Sequence, residues 1–228
     1  MKIEVWSDIV CPWCYIGKRR LEAALDGLDE EVEIHWRSFE LDPGAPKEPR
    51  ADLDEALARK YRMSLARARE MIDQMTQTGA EEGLELNFSI AKSGNTFDAH
   101  RLLHLAAQKG KQGALKERLL LAYMTEGVPI SDREELTRIA VEEGLDADEV
   151  QGVWESEDFN EAVREDERRA RELGIRGVPF FLIDEKRGIS GAQTADLLRD
   201  QLLKSLADST AASKNTEGQR CDEEGCEI

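Results

Sequence analysis

Two cysteines near the start of the chain have the spacing and the neighbours of a redox-active pair. Cys11 and Cys14 enclose Pro12 and Trp13. Residues three apart on a helix are neighbours, so the two sulfurs can form a disulfide without backbone strain. Free amides and the helix dipole at a first turn stabilise a thiolate and lower its pKa below the ordinary value of about 8.5. We therefore predict that Cys11 attacks and that Cys14, one turn further in, resolves the mixed disulfide.

The same spacing also fits half of a zinc site, or a chance pair. Zinc would need two further ligands, which Cys221 and Cys226 could supply only if the end of the chain folds back. The spacing of this second pair differs from the repeated Cys-x-x-Cys of zinc sites, so we predict no metal site. A zinc-binding or redox-controlled binding module remains the non-enzymatic alternative.

The residues around the pair predict a strand, a helix and a second strand. Ile3 and Val5 alternate with polar residues, and helical spacing begins at Pro12 and ends near Gly27. Residues 32–39 alternate again. Strand, helix, strand is the unit that forms a parallel pair, with the cysteines where the first strand passes into the helix.

The rest of the chain divides into three parts by pattern. Residues 51–154 keep helical spacing without sustained alternation, which predicts an all-helical insertion. Residues 155–206 add a helix, a buried strand over 177–183, a hairpin partner and a last helix, which return the chain to the α/β pattern of residues 1–50. Residues 207–228 are rich in Ser, Thr, Lys and Gly and predict a flexible tail.

Val178 and Pro179 immediately precede the predicted buried strand, where a missing amide costs little. From this position alone the bond is expected to be an ordinary trans bond, although a cis bond would be a tight-turn device.

Composition excludes several partners. Lys and Arg number 31 and Asp and Glu 48, so the formal charge is −17, which argues against nucleic acid and against an anionic membrane surface. No apolar run approaches the roughly 18–20 residues that span a bilayer. The chain begins with an alternating strand pattern and not with a signal peptide, and it has four cysteines in two close pairs, so we predict a cytoplasmic protein with reduced thiols.

Four ordered segments resemble the DsbA-like thioredoxin superfamily, in particular its FrnE-type oxidoreductases. Residues 7–18 are similar to the active-site segment of that group, and the later landmarks lie at residues 36–41, 95–102 and 177–181. The resemblance implies a thioredoxin fold interrupted by the helical insertion, and a thiol–disulfide oxidoreductase or disulfide isomerase acting on protein disulfides. It also implies that Val178 and Pro179 form a cis-proline loop, which in this superfamily lies against the cysteines and offers backbone hydrogen bonds to a bound polypeptide.

The residues between the cysteines depart from strongly oxidising DsbA proteins, which have a histidine there. Pro12 and Trp13 can donate neither a proton nor a positive charge to a thiolate. We therefore predict that the pKa of Cys11 is lowered, but less than to the value of about 3.5 known for DsbA, which favours isomerisation or reduction. No cofactor is expected beyond the redox-active disulfide, with glutathione, a thioredoxin-type protein or a reductase as the electron donor.

Cys221 and Cys226 form a possible second redox pair in the tail. A flexible linker of about fifteen residues spans roughly 20–23 Å, so the tail pair could reach Cys11. Four acidic neighbours raise the pKa of the tail thiols and favour electron flow from the tail to Cys11 and Cys14. The alternative for the tail is that its two thiols take no part in the reaction.

For the function of the whole protein, the alternative is a glutathione-dependent isomerase or transferase of the kappa type, similar to 2-hydroxychromene-2-carboxylate isomerase.

Overall fold

A four-stranded mixed sheet forms the centre of the structure, a computed structural model that describes residues 1–48 and 53–217. The strand order is β2-β1-β3-β4, with β1 parallel to β2, and with β3 antiparallel to both β1 and β4. The strands are β1 (Lys2–Ser7), β2 (Glu33–Ser38), β3 (Phe180–Ile183) and β4 (Arg187–Ser190). The predicted parallel pair and the predicted hairpin are therefore confirmed.

Nine helices complete the described residues. They are α1 (Pro12–Leu25), α2 (Leu53–Tyr61), α3 (Leu65–Glu81), α4 (Phe97–Gln108), α5 (Gln112–Met124), α6 (Arg133–Glu142), α7 (Ala147–Glu155), α8 (Asn160–Glu172) and α9 (Ala195–Glu217). From residue 53 to residue 155 the described chain contains helices and no strand, as the spacing of its apolar residues predicts. None of the described helices is both long enough and apolar enough to cross a membrane. The α/β fold class is thus confirmed, while the predicted boundary at residues 50 and 51 lies outside the described residues.

The inner position of β1 explains why almost all of its side chains are buried. On one side Ile3 and Val5 pack with Leu21 of α1 and with Leu198 and Leu202 of α9. On the other side Trp6 packs with Ala170, Ile175 and Leu182. Because a strand that is paired on both edges and covered on both faces has a fixed register, the residues that follow β1 are fixed too.

The inserted helices are packed onto the start of α1. A large cluster of buried side chains from α4 to α7 also includes Ile9, Tyr15 and Ile16, which precede and follow the first cysteine of the pair. The helical segment therefore forms one wall of the region around Cys11 and Cys14.

The last helix is longer than the sequence pattern predicts. Helix α9 continues to Glu217, whereas a flexible tail is predicted from residue 207. Ala207, Ala211 and Ala212 lie in this stretch, and alanine has the highest helix propensity, so a helix already begun by packing continues through it. The linker length estimated for the tail is therefore wrong. Cys221 and Cys226 themselves lie outside the described residues.

Candidate active site

Cys11 and Cys14 lie together at the N-terminus of α1. Cys11 is the N-cap residue and Pro12 occupies the first turn, where its missing amide is tolerated. Both cysteines are free thiols, with Cys11 4% exposed and Cys14 1% exposed. Each thiol shifts the pKa of the other, so the two side chains are neighbours. A pair with this spacing at a helix N-terminus can form a disulfide.

The loop before β3 lies against this pair. The peptide bond between Val178 and Pro179 is cis. The carbonyl oxygen of Val178 accepts a hydrogen bond from Cys11 Sγ over 3.6 Å. The resemblance implies this cis-proline loop, and position alone would have favoured a trans bond.

Gly17 allows α1 and the cis-proline loop to approach each other. A Cβ atom on Gly17 would lie 2.8 Å from Cγ of Pro179 and 3.3 Å from Cζ of Phe181. Both distances are shorter than ordinary carbon contacts, so only glycine fits between the active-site helix and this loop without a shift.

The two thiols influence each other's ionisation. The interaction with Cys14 raises the pKa of Cys11, and burial raises it further. Burial opposes ionisation of Cys14 as well, but the interaction with Cys11 and the Lys116 ammonium hold the pKa of Cys14 below its ordinary value. The argument from the helix terminus treated Cys11 alone, whereas the two thiols titrate as a pair, so the lowering at Cys11 stays a prediction.

Three buried ionisable groups lie beneath the pair. The Asp8 carboxylate accepts hydrogen bonds from the amides of Ile9 (2.7 Å) and Leu41 (2.8 Å), and Nε2 of His100 lies 3.4 Å from its Oδ1. Burial alone would raise the pKa of Asp8, but the His100 ring, the Leu41 amide and the Lys116 ammonium together hold it below its usual value. Lys116, on α5, donates a hydrogen bond to the Ser7 carbonyl oxygen at 3.3 Å.

The sequence considered in isolation did not single out Asp8 or Lys116. Asp8 lies in the active-site segment, but its type alone does not indicate burial. Lys116 could have been noticed, because it lies between Leu115 and Leu119 on the apolar face of α5, where a charged residue is unusual.

Trp13, between the cysteines, is 41% exposed and forms the edge of a groove. The groove has a volume of about 370 Å³ and is otherwise lined by α3, through Met71, Gln74, Met75, Gln77, Thr78 and Glu81. Apolar and polar side chains of α3 thus line an open groove whose edge is Trp13, the residue between the cysteines that precedes Cys14.

The structure brings together six of the eight candidate residues. Cys11, Pro12, Trp13 and Cys14 lie at the start of α1, and Val178 and Pro179 lie beside them, while the tail pair lies outside the described residues.

His104, four residues after His100, contacts Ser38 Oγ (3.0 Å) and Asp166 (3.3 Å). Over the described ranges, no three His, Cys, Asp or Glu side chains are grouped in a way that could hold a metal ion.

The geometry agrees with what comparison with known proteins shows. The DSBA-like thioredoxin domain family matches residues 2–203. The crystal structure of a probable DsbA oxidoreductase, SCO1869 from Streptomyces coelicolor, is 38% identical with a TM-score of 0.86, over 100% of this chain and 94% of that one. The uncharacterised protein YwbO of Bacillus subtilis (strain 168) is 32% identical over 186 residues, which are 80% of this chain and 86% of YwbO.

A more distant structure has the same fold. The cytosolic disulfide reductase DsbM from Pseudomonas aeruginosa is 18% identical with a TM-score of 0.62, over 91% of this chain and 99% of that one. DsbM has also been solved with glutathione (GSH). At this identity the likeness shows the fold alone.

Proposed function

We propose that this chain, which belongs to the family of DsbA-like thioredoxin domains, exchanges disulfides with polypeptide substrates through Cys11 and Cys14. One observation carries the proposal. Two free, buried thiols lie at a helix N-terminus, and the Val178 carbonyl before a cis proline accepts a hydrogen bond from Cys11 Sγ over 3.6 Å. This arrangement combines an ionisable sulfur, a partner to resolve the intermediate and a backbone edge that can bind an extended segment.

The reduced protein acts in two steps. Cys11 gives up its proton to the neighbouring Cys14 thiolate, and the Cys11 thiolate attacks one sulfur of the substrate disulfide. A Cys11–substrate disulfide forms, the substrate S–S bond breaks, and the other substrate sulfur leaves as a thiolate. Cys14, after losing its proton, then attacks Cys11 Sγ and releases the second substrate sulfur. The substrate gains two electrons, and Cys11 and Cys14 become a disulfide.

The groove beside Trp13 favours a polypeptide over a small thiol. Its volume of about 370 Å³ is open along α3, and Met71 and Met75 offer flexible apolar contacts that suit varied side chains. A polypeptide can lie along this groove while its disulfide reaches Cys11. Protein disulfides are therefore the proposed substrates.

The direction of exchange follows from the residues between the cysteines. Pro12 and Trp13 place no cation beside Cys11, so the thiolate form is less stabilised than in a strong oxidant. We therefore propose reductase or isomerase activity in a reducing compartment such as the cytoplasm, with glutathione or a thioredoxin-type protein as donor. The name of the structural neighbour DsbM, a cytosolic disulfide reductase, supports this choice. The redox-active pair needs no further cofactor.

The second pair, Cys221 and Cys226, stays a prediction as an auxiliary electron donor. Comparing the turnover of the wild type with that of a Cys221→Ser, Cys226→Ser variant tests it. A lower steady-state rate with unchanged reactivity of Cys11 supports the role, and identical turnover contradicts it.

The main test is trapping of the intermediate. In Cys14→Ser that also carries Cys221→Ser and Cys226→Ser, no other cysteine of the chain can resolve the mixed disulfide with Cys11, so proteins that bind covalently accumulate and can be identified by mass spectrometry after non-reducing separation. Cys11→Ser is the matched control and should trap none. Release of the trapped proteins by a reductant supports the proposal. Trapping of glutathione alone would contradict the proposed protein substrates and favour the kappa-type alternative.

A further inference from the structure

The groove beside Trp13 has a negative charge at one end that no cation of its lining offsets. Of the described side chains that line the groove, only that of Glu81 is charged. Glu81 is the last residue of α3, and the last turn of this helix has no basic residue. The partial negative charge of a helix C-terminus therefore adds to that of the carboxylate. This end of the groove attracts a positive charge.

The two adjacent glutamates at the end of α3 differ in whether the chain supplies them with a partner. Glu82 forms an ion pair with Arg20 at 2.6 Å, and this pair joins α3 to α1, the helix that carries Trp13. Among the residues that the structure describes, Glu81 forms no ion pair and its carboxylate accepts no hydrogen bond. The Glu81 carboxylate is thus available to a cation from another molecule.

Trp13, at the edge of the same groove, also differs from the other tryptophans of the chain. Each of the other three rings has a side-chain cation of the same chain within 6 Å of its centre. They are Trp6 with Arg169 (5.9 Å), Trp36 with Lys116 (5.8 Å) and Trp154 with Arg133 (5.2 Å). Over the described part of the chain no Lys or Arg lies above the exposed ring of Trp13. Since indole is the aromatic ring that attracts cations most strongly, Trp13 can bind one from a partner.

We propose that this groove binds an arginine or lysine side chain of the substrate polypeptide, with its cation held by the Trp13 ring and the Glu81 carboxylate. The inference rests on the proposed function and names the class of polypeptide that the same site selects. The methylene groups of the bound side chain pack on Met71 and Met75, because long cationic side chains bury their stems beside apolar surface. The amide oxygen of Gln77 is a further acceptor for the cation.

The position of the groove limits the distance between the basic residue and the reacting cysteine of the substrate. Trp13 immediately precedes Cys14, and the groove follows α3 from Met71 to Glu81. At 1.5 Å per residue this stretch of helix is about 15 Å long. An extended polypeptide covers the same length with about five residues, at roughly 3.3 Å each. We therefore expect the basic residue within about five positions of the substrate cysteine.

The charge of the whole chain acts differently from the groove. A formal charge of −17 attracts any basic polypeptide from a distance, wherever its basic residues lie. The groove instead favours a cation at one position relative to the cysteine. Substrates with the same net charge and a different position of the basic residue separate the two effects.

The test follows reduction of short two-chain peptides joined by one disulfide. One chain carries a fluorophore and the other a quencher, so reduction is measured as a gain in fluorescence. A single arginine is moved through the positions on either side of the cysteine, and at each position it is compared with citrulline, which has a similar shape and no charge. Excess reduced protein carrying Cys221→Ser and Cys226→Ser is used, so that only Cys11 and Cys14 react.

At the favoured position we expect the peptide with arginine to be reduced about fivefold to tenfold faster than the peptide with citrulline. Arginine at distant positions should give a smaller ratio, and added salt should lower the rate for arginine more than that for citrulline. Equal rates for arginine and citrulline at every position would overturn the inference and leave the proposed function standing. If none of the peptides were reduced, the proposed function itself would fail.

Glu81→Gln should lower the ratio of the arginine rate to the citrulline rate to about twofold, because only the indole ring then favours the cation. Glu81→Lys should instead favour a peptide with glutamate at that position. Glu85→Gln is the matched control, because Glu85 is exposed, follows α3 and does not line the groove, so the ratio should stay as in the parent protein. An unchanged ratio in Glu81→Gln would contradict the proposed site. The comparison of arginine with citrulline in the unaltered groove decides the question even if a Glu81 variant fails to fold.

Discussion

At the scale of single residues, the active site depends on the lack of a side chain at Gly17 as well as on the two cysteine sulfurs. Gly17 lies one turn after the cysteines, where Pro179 and Phe181 leave no space for a Cβ atom. The contact between α1 and the cis-proline loop is therefore closer than any other residue would allow.

Gly17→Ala is expected to destabilise the protein by about 1–3 kcal/mol, because the added methyl group forces Pro179 or α1 to move. The same shift should separate Cys11 from the Val178 carbonyl and lower exchange activity. Urea unfolding and turnover with a protein disulfide measure the two effects.

Gly152→Ala is the control for this substitution. Gly152 lies in α7, and a Cβ atom there would have no neighbour within 4 Å. The change should leave activity as it is and stabilise the protein by up to about 1 kcal/mol, since alanine favours a helix. If Gly17→Ala and Gly152→Ala lowered the free energy of unfolding equally, the close approach of α1 to Pro179 would not explain the loss of stability at Gly17.

Residue types and spacing were sufficient to identify Cys11 and Cys14 as the candidate pair, because a cysteine spacing at a strand-to-helix transition is a local signal. The charge distribution was not predictable in the same way. It depends on Lys116, more than a hundred positions away in sequence, and on a proton shared between the two thiols. Contacts between residues so far apart in sequence form only in the folded chain, so no local sequence pattern indicates them.

At the scale of elements, α3 supplies the wall of the groove beside Trp13. Met71 and Met75 point toward that groove, whereas Leu65, at the start of the same helix, is exposed and does not line it. The helix thus offers both a test position and a matched control.

Met71→Glu should lower kcat/KM for a protein disulfide by about fivefold to tenfold, because a carboxylate disfavours apolar side chains in the groove. The rate with a small disulfide should remain within about twofold, since small molecules need only the sulfurs. Leu65→Glu introduces the same charge and should change neither rate. An equal loss with both kinds of substrate in Met71→Glu would point to damage at the cysteines and not to loss of a polypeptide contact.

Strands and helices with strong periodicity were predictable, whereas some of their ends were not. The alternation of β1 and β2 and the short apolar run of β3 located these strands correctly. The end of α9 was missed because Ser, Thr and Lys in residues 207–217 suggest a linker, while packing of Leu198 and Leu202 starts a helix that alanines extend. The composition of residues 207–217 gives no information about the helix that precedes them.

At the scale of the whole molecule, Glu117 joins the inserted helices to the active-site helix. Its carboxylate accepts hydrogen bonds from Tyr15 (2.7 Å) and Arg19 (3.0 Å), and it forms an ion pair with Lys18 at 2.6 Å. Burial alone would raise the pKa of Glu117, but the hydrogen bonds from Arg19, Lys18 and Tyr15 lower it from 4.5 to about 2. One carboxylate from α5 thus binds three side chains of α1.

Glu117→Gln should reduce the free energy of unfolding at pH 7 by about 1–2 kcal/mol, because charged hydrogen bonds become neutral ones. The folded state lowers the pKa, so the wild type has this stabilisation above pH 4.5 and loses it as the pH falls toward about 2. The difference between variant and wild type should therefore shrink over that interval in denaturant unfolding at several pH values.

Glu126→Gln serves as the comparison, because Glu126 forms a more exposed pair with Arg118 just after α5. It should change stability by less than about 1 kcal/mol. A difference for Glu117→Gln that stays constant from pH 7 to pH 2 would contradict the assigned cause.

The contact between Cys11 and Val178 spans 167 positions of the chain. A ribosome releases the N-terminus first, so until residue 178 has been made the cysteines exist without the loop that lies against them, and β1 lacks β3 along one edge. The thiols of the nascent polypeptide therefore cannot yet acquire the environment of the finished site. Products cut short before residue 178 carry an unprotected strand edge and two ordinary cysteines, so the cell gains this chemistry only after the cis-proline loop and β3 have been made.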